Sequence, residues 1–69
     1  MIMFKVEIEQ EEDGRGRAEA VGLPGVLARG KSQQSAVSRM QALALRVLAE
    51  RLEHGVNGPG LRSISFNAA

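Results

Sequence analysis

From Ser32 to His54 the chain carries one long periodic stretch, and no other segment limits the possible folds as tightly. Its apolar residues Ala36, Val37, Met40, Leu43, Ala44, Val47, Leu48 and Leu52 recur at spacings of three and four, which puts them on one side of an α-helix. Ser32, just after Gly30-Lys31, is expected to cap the N-terminus by accepting a hydrogen bond from a first-turn N–H. Ser35 occupies the position where a capping box wants Glu or Gln. His54 and Gly55 are expected to close the helix: a histidine suits its negative pole, and glycine suits the left-handed stop. Turned at about 100° per residue, the apolar positions from Leu43 through Val47, Met40, Val37 and Leu48 to Leu52 and Leu45 sweep roughly 200°. A helix resting on one sheet needs about half that arc. The excess predicts that part of this helix meets a second chain.

Size strengthens that expectation. The 69 residues are expected to form one small domain, residues 1–69, and such a domain buries only about 60% of the surface its unfolded chain exposes. With no cysteine there is no disulfide or Cys-based zinc site to staple it, and a single histidine leaves little for a His-based metal site. No metal or cofactor is expected. Self-association is the remaining common support. Leu45, Leu48, Ala49 and Leu52 are the residues expected to provide it, in a dimer or tetramer; packing beneath Asn57-Gly58-Pro59-Gly60 is the alternative. Nine basic and eight acidic residues leave a net charge of +1, too little for a strong general field toward nucleic acid. No run approaches the ~18 apolar residues of a membrane span, and Lys5 and Glu7 interrupt any signal-peptide core. A soluble, cytoplasmic protein is expected.

Ahead of the helix the period changes to two. Ile2, Phe4, Val6 and Ile8 alternate with Met3, Lys5, Glu7 and Glu9, which predicts a half-buried strand with its even residues inward. Asp13-Gly14 signals a hairpin, but a two-residue turn would set Ile8 opposite Glu19 on a shared face. A three-residue loop of Glu12, Asp13 and Gly14, with Gly14 left-handed, instead pairs Ile8 with Ala18, Val6 with Ala20, Glu9 with Arg17 and Glu11 with Arg15. The second strand, Arg15 to Val21, then turns Gly16, Ala18 and Ala20 to the core, small enough for a helix to lie close over them. Gly22-Leu23-Pro24-Gly25 reads as a turn, Val26 to Arg29 as a third strand, and Leu61 to Phe66 as a fourth after the break at Asn57-Gly58-Pro59-Gly60. The plan is α+β, in the order β-β-β-α-β, with one helix packed on a three- to four-stranded sheet.

Few residues suggest chemistry. Glu7, Glu9, Glu11, Glu12 and Asp13 are consecutive rather than convergent, and Arg15 and Arg17 neutralise part of the set, so they read as a solvated strand face and hairpin tip. His54 reads as a helix cap, and Ser32, Ser35 and Ser38 have no base to activate them. An enzyme is not expected. Arg15, Arg17, Arg29 and Lys31 are candidates for a phosphate-contacting patch at one end of the sheet, against the plainer reading of solubilising charge. The only aromatics, Phe4 and Phe66, are assigned to the inward face. Gly58-Pro59-Gly60 lacks the lysine and the strand-to-helix setting of a phosphate loop.

The order Gly14-Arg15, Ala18-Glu19, Leu23-Pro24-Gly25-Val26, Gly30 and then the helical run Ala42 to Gly55 resembles the HicB family of bacterial antitoxins, over most of residues 2–66. The resemblance implies a truncated ribonuclease-H-like fold that binds and blocks a small HicA-like toxin, a ribonuclease acting on messenger RNA. Many members add a C-terminal DNA-binding domain; a short, single-domain member without one is expected here. Leu23, Pro24, Gly25 and Val26, with the exposed sheet edge, are the expected toxin contacts. A small RNA-binding module and an orphan structural oligomer are the alternatives.

Overall fold

A computed structural model describes residues 2–55 and 64–68. Strands β1 (Ile2–Gln10), β2 (Gly16–Val21) and β3 (Leu27–Gly30) precede helix α1 (Gln33–Glu53), and strand β4 (Ile64–Ala68) follows it. The sheet is mixed, in the order β3-β2-β1-β4: β1 pairs antiparallel with β2, β2 antiparallel with β3, and β4 parallel with β1. This is the expected α+β class and element order.

The first hairpin adopts the expected register, with Ile8 opposite Ala18, Val6 opposite Ala20 and Glu9 opposite Arg17. Gly14 donates to the Glu11 carbonyl at 3.0 Å with φ at +91°, and Glu11 N–H donates to the Arg15 carbonyl at 2.7 Å. That is a type I turn closed by a left-handed glycine. Arg15 does stand opposite Glu11, but its guanidinium turns to Asp13, with Nε 3.2 Å from Oδ2. The loop brings Asp13 closer than the cross-strand carboxylate.

Helix α1 lies across β2 and β3 and touches β1 far less. Its stripe Ala36, Met40, Ala44 and Leu48 packs on Val6, Ala18, Ala20, Leu23 and Val26 to form the core. Ile8, expected inside, is 37% exposed: it lies on β1, which the helix touches far less than β2 and β3, two residues closer to the hairpin than the buried Val6. Phe4 and Phe66 sit side by side on β1 and β4 at the border of the core, their rings stacked 5.8 Å apart at 28°.

Close approach at the helix start depends on two glycines. Gly16 and Gly30 are opposite one another on β2 and β3. A Cβ on Gly16 would lie 2.5 Å from Gln33 Cα and 2.6 Å from the Ser32 carbonyl oxygen; one on Gly30 would run into Ser35 Oγ and lie 2.6 Å from Ala36 N. The first turn of α1 rests in this notch.

Ser32 caps that turn as expected, accepting from Ser35 N–H at 3.1 Å. Ser35, which lacks the length of Glu or Gln, still completes a capping box, since Ser32 N–H donates to its Oγ at 3.1 Å. At the other end, His54 Nδ1 lies 3.1 Å from the Glu50 carbonyl oxygen, and Gly55 has φ +76°.

Several strand boundaries move: the second strand begins at Gly16 rather than Arg15, and the third runs on to Gly30 rather than ending at Arg29. The third strand begins at Leu27 rather than Val26, because Val26 N–H is used to close a turn onto the Leu23 carbonyl at 3.1 Å. The fourth runs from Ile64 to Ala68, carried past Phe66 by pairing with β1 as far as Val6. The expected break at Asn57-Gly58-Pro59-Gly60, and Leu61 to Ser63 of the expected fourth strand, lie outside the described residues.

Candidate functional site

Three surfaces carry the residues singled out above. The first is the turn from β2 into β3. Pro24 and Gly25 hold its central positions, with Gly25 at φ +81°, a type II arrangement that leaves both exposed. Leu23 and Val26, proposed as contacts along with them, are 3% and 1% exposed and belong to the core. The reachable part of this site is therefore Pro24-Gly25 and the free side of β3. β3 ends the sheet at that margin, so its outer backbone groups face no other strand among the described residues.

The second surface is the outer side of α1. Leu45 is 51% and Leu52 45% exposed, and Ala49 between them is exposed too. Leu48, grouped with these three from the sequence, is 4% exposed and is the last member of the buried stripe. The helix also outruns β2, one of the two strands on which it mainly packs. Its 21 residues span about 31 Å, against about 20 Å for the six residues of β2. Leu52, four residues beyond Leu48 and next in the stripe, stays exposed among the described residues.

The third surface is basic. Arg15, Arg29, Lys31 and Arg39 line an open cleft of about 320 Å³ together with Glu11 and Gly30. The hairpin tip supplies Arg15 and Glu11, the end of β3 supplies Arg29, the link to α1 supplies Lys31, and the second turn of the helix supplies Arg39. Three of the four cations expected to cluster do so. Arg17 does not: it stands on β2 with its Nη1 and Nη2 each 3.8 Å from a carboxylate, Glu9 and Glu19 respectively, and only 28% of its side chain is exposed. Arg39 was not anticipated. Its signal is its position four residues after Ser35, which touches Gly30, since residues four apart share a helix flank.

The carboxylates remain dispersed. Glu7 and Glu9 are exposed on β1, while Glu11, Glu12 and Asp13 occupy the hairpin. Among the described residues, no three His, Cys, Asp or Glu side chains are grouped to hold a metal ion. No helix among them is long and apolar enough to cross a membrane.

Fold and surfaces together define a small α+β domain that has, among the described residues, sheet edges at β3 and β4, an apolar helix flank and a basic cleft. Comparison with family models, curated proteins and solved structures gave no significant match to this chain.

Proposed function

We propose that the chain is a non-catalytic, cytoplasmic binding protein of the HicB-like antitoxin type, which masks the working surface of a small HicA-like ribonuclease toxin. The observation that supports this reading best is the open edge of β3 on a β-β-β-α-β domain, the element order that the resemblance implies. A strand edge offers a row of backbone donors and acceptors to which a partner adds a strand, and alternate side chains then set specificity. Pro24-Gly25, projecting where the chain turns into β3, gives the partner a fixed landmark beside that edge. Inhibition follows from steric cover, with no bond made or broken.

Self-association through Leu45, Ala49 and Leu52 belongs to the same proposal. It covers apolar side chains that the sheet leaves exposed, and it leaves β3 free for the toxin.

The test is co-expression with the small basic reading frame beside the gene, followed by affinity capture of this chain and measurement of growth. Capture of the neighbour with relief of its growth arrest is the expected result. A neighbour that arrests growth equally with and without this chain, and is not captured, overturns the proposal.

A further inference from the structure

We propose that the cleft between the hairpin tip and the start of α1 binds the phosphodiester backbone of a nucleic-acid strand, through Arg15, Arg29, Lys31 and Arg39. This does not rest on the toxin-masking reading, although Arg29 belongs to β3, the strand whose edge that reading uses. Arg29, Lys31 and Arg39 have no ion-pair partner among the described residues, and Arg15 has only the exposed Asp13. Four cations against the carboxylates of Glu11, in the lining, and Asp13, held by Arg15, leave two positive charges around one cleft, in a chain whose overall net charge is +1. Net positive charge is thus gathered here, while Arg17, the one cation expected in the cluster but left out of it, is held by Glu9 and Glu19.

The donor set fits phosphate. Guanidinium groups present planar forks that match phosphate oxygens two at a time, and lysine adds a mobile point charge. The first turn of α1 beside the cleft contains no acidic residue to oppose an anion. Two charges exceed what one phosphodiester neutralises and suit two successive phosphates of a strand. The cleft is open, so a strand can pass through rather than end in it. Both aromatic residues lie at the border of the core, away from the cleft, so base stacking contributes nothing and binding is indifferent to sequence.

The experiment is fluorescence anisotropy of a short labelled oligouridylate with the purified wild-type chain, over a series of salt concentrations. Neutralising two phosphates on a single strand predicts a logarithmic salt slope of about −1.4, so a fourfold rise in salt weakens binding about sevenfold. The double variant Arg29→Gln/Arg39→Gln should bind at least about tenfold more weakly, with the slope reduced by about 0.7 for each contact removed. Arg46→Gln/Arg51→Gln removes the same charge from exposed positions elsewhere on α1 and should bind like wild type. Far-UV circular dichroism of both variants establishes that they fold.

Equal weakening by the two double variants would reduce the effect to net charge and overturn the site. So would wild-type binding too weak to depend on salt. A cleft that takes up inorganic phosphate, seen as shifts of the Gly30 and Lys31 amide resonances, without retaining the oligonucleotide would be a free-anion site and would overturn the strand proposal.

Discussion

Replacing Gly16 by alanine tests the contact on which the packing of helix and sheet depends. Gly16 is not in the left-handed region, so glycine is needed there for room rather than for backbone freedom. The added Cβ would lie 2.5 Å from Gln33 Cα, where carbon atoms rest about 3.5–4.0 Å apart. The first turn must therefore lift by about 1 Å or more, and backbone cannot move aside as a flexible side chain would. Overpacking of this kind costs about 1–3 kcal/mol. A clash with backbone at several points belongs near the top of that range, offset by about 0.4–1 kcal/mol from the stiffer unfolded chain. A net loss of about 2 kcal/mol is expected, out of a total of about 3–10 kcal/mol for a domain this size. In urea, with a slope of about 1 kcal/mol per molar, the midpoint falls by about 2 M; the melting temperature falls by about 8–16 °C. Far-UV circular dichroism is the assay, since the chain has no Trp or Tyr. Gly14→Asn is the control: Gly14 has φ +91° and open space around it, and Asn tolerates that conformation, so the loss should stay below about 1 kcal/mol. A Gly16→Ala loss under about 0.5 kcal/mol, or a Gly14→Asn loss as large, would refute the steric reasoning.

Other perturbations separate the remaining contributions. Ser32→Ala removes the N-cap acceptor and should cost about 1 kcal/mol of stability to urea, with Ser35→Ala costing less because the N-cap itself survives. Leu45→Glu/Leu52→Glu should lower the mass measured by light scattering to that of a monomer while the helical dichroism persists; an unchanged mass would refute the helix flank as a self-interface. Leu48→Ala should instead cost about 2–5 kcal/mol at any protein concentration, because that side chain is in the core. Glu9→Gln, which leaves Arg17 with Glu19 alone, should change stability by less than about 1 kcal/mol, and raised salt should erase the difference.

Local chemistry was legible in the sequence wherever neighbours along the chain decide the outcome. The period-two run of β1, the three-residue hairpin loop with its left-handed Gly14, the Ser32 cap and the stop at Gly55 all depend on residues a few positions apart. What escaped depends on extent. Periodicity defines the apolar arc of α1 but not how far a sheet reaches beneath it, so Leu48 could not be told from Leu45 and Leu52. Ile8 has the right parity for the core, yet lies on a strand the helix barely covers. Leu23 and Val26 look like loop residues because they flank Pro24-Gly25, and the turn that exposes the dipeptide drives its two neighbours inward. Arg39 joins Arg15, Arg29 and Lys31 only after Gly16 and Gly30 admit the helix start beside the hairpin. No count of charges along the chain contains that step.

The parallel pairing of β4 with β1 bears on how the domain assembles. Strand β1 meets β2 across a tight turn, but Ile2 meets Ile64 only after nearly the whole chain has been looped back. Closing that larger circuit costs about 2 kcal/mol more in chain entropy than closing the hairpin. Emerging from the ribosome, β1 through α1 can therefore assemble as a unit while the far side of β1 still waits for its neighbour. During that interval the longest strand of the sheet is an uncovered edge, a template for another nascent copy. Lys5, Glu7 and Glu9, spaced along its exposed face, give each such copy the same pattern of charge to contend with.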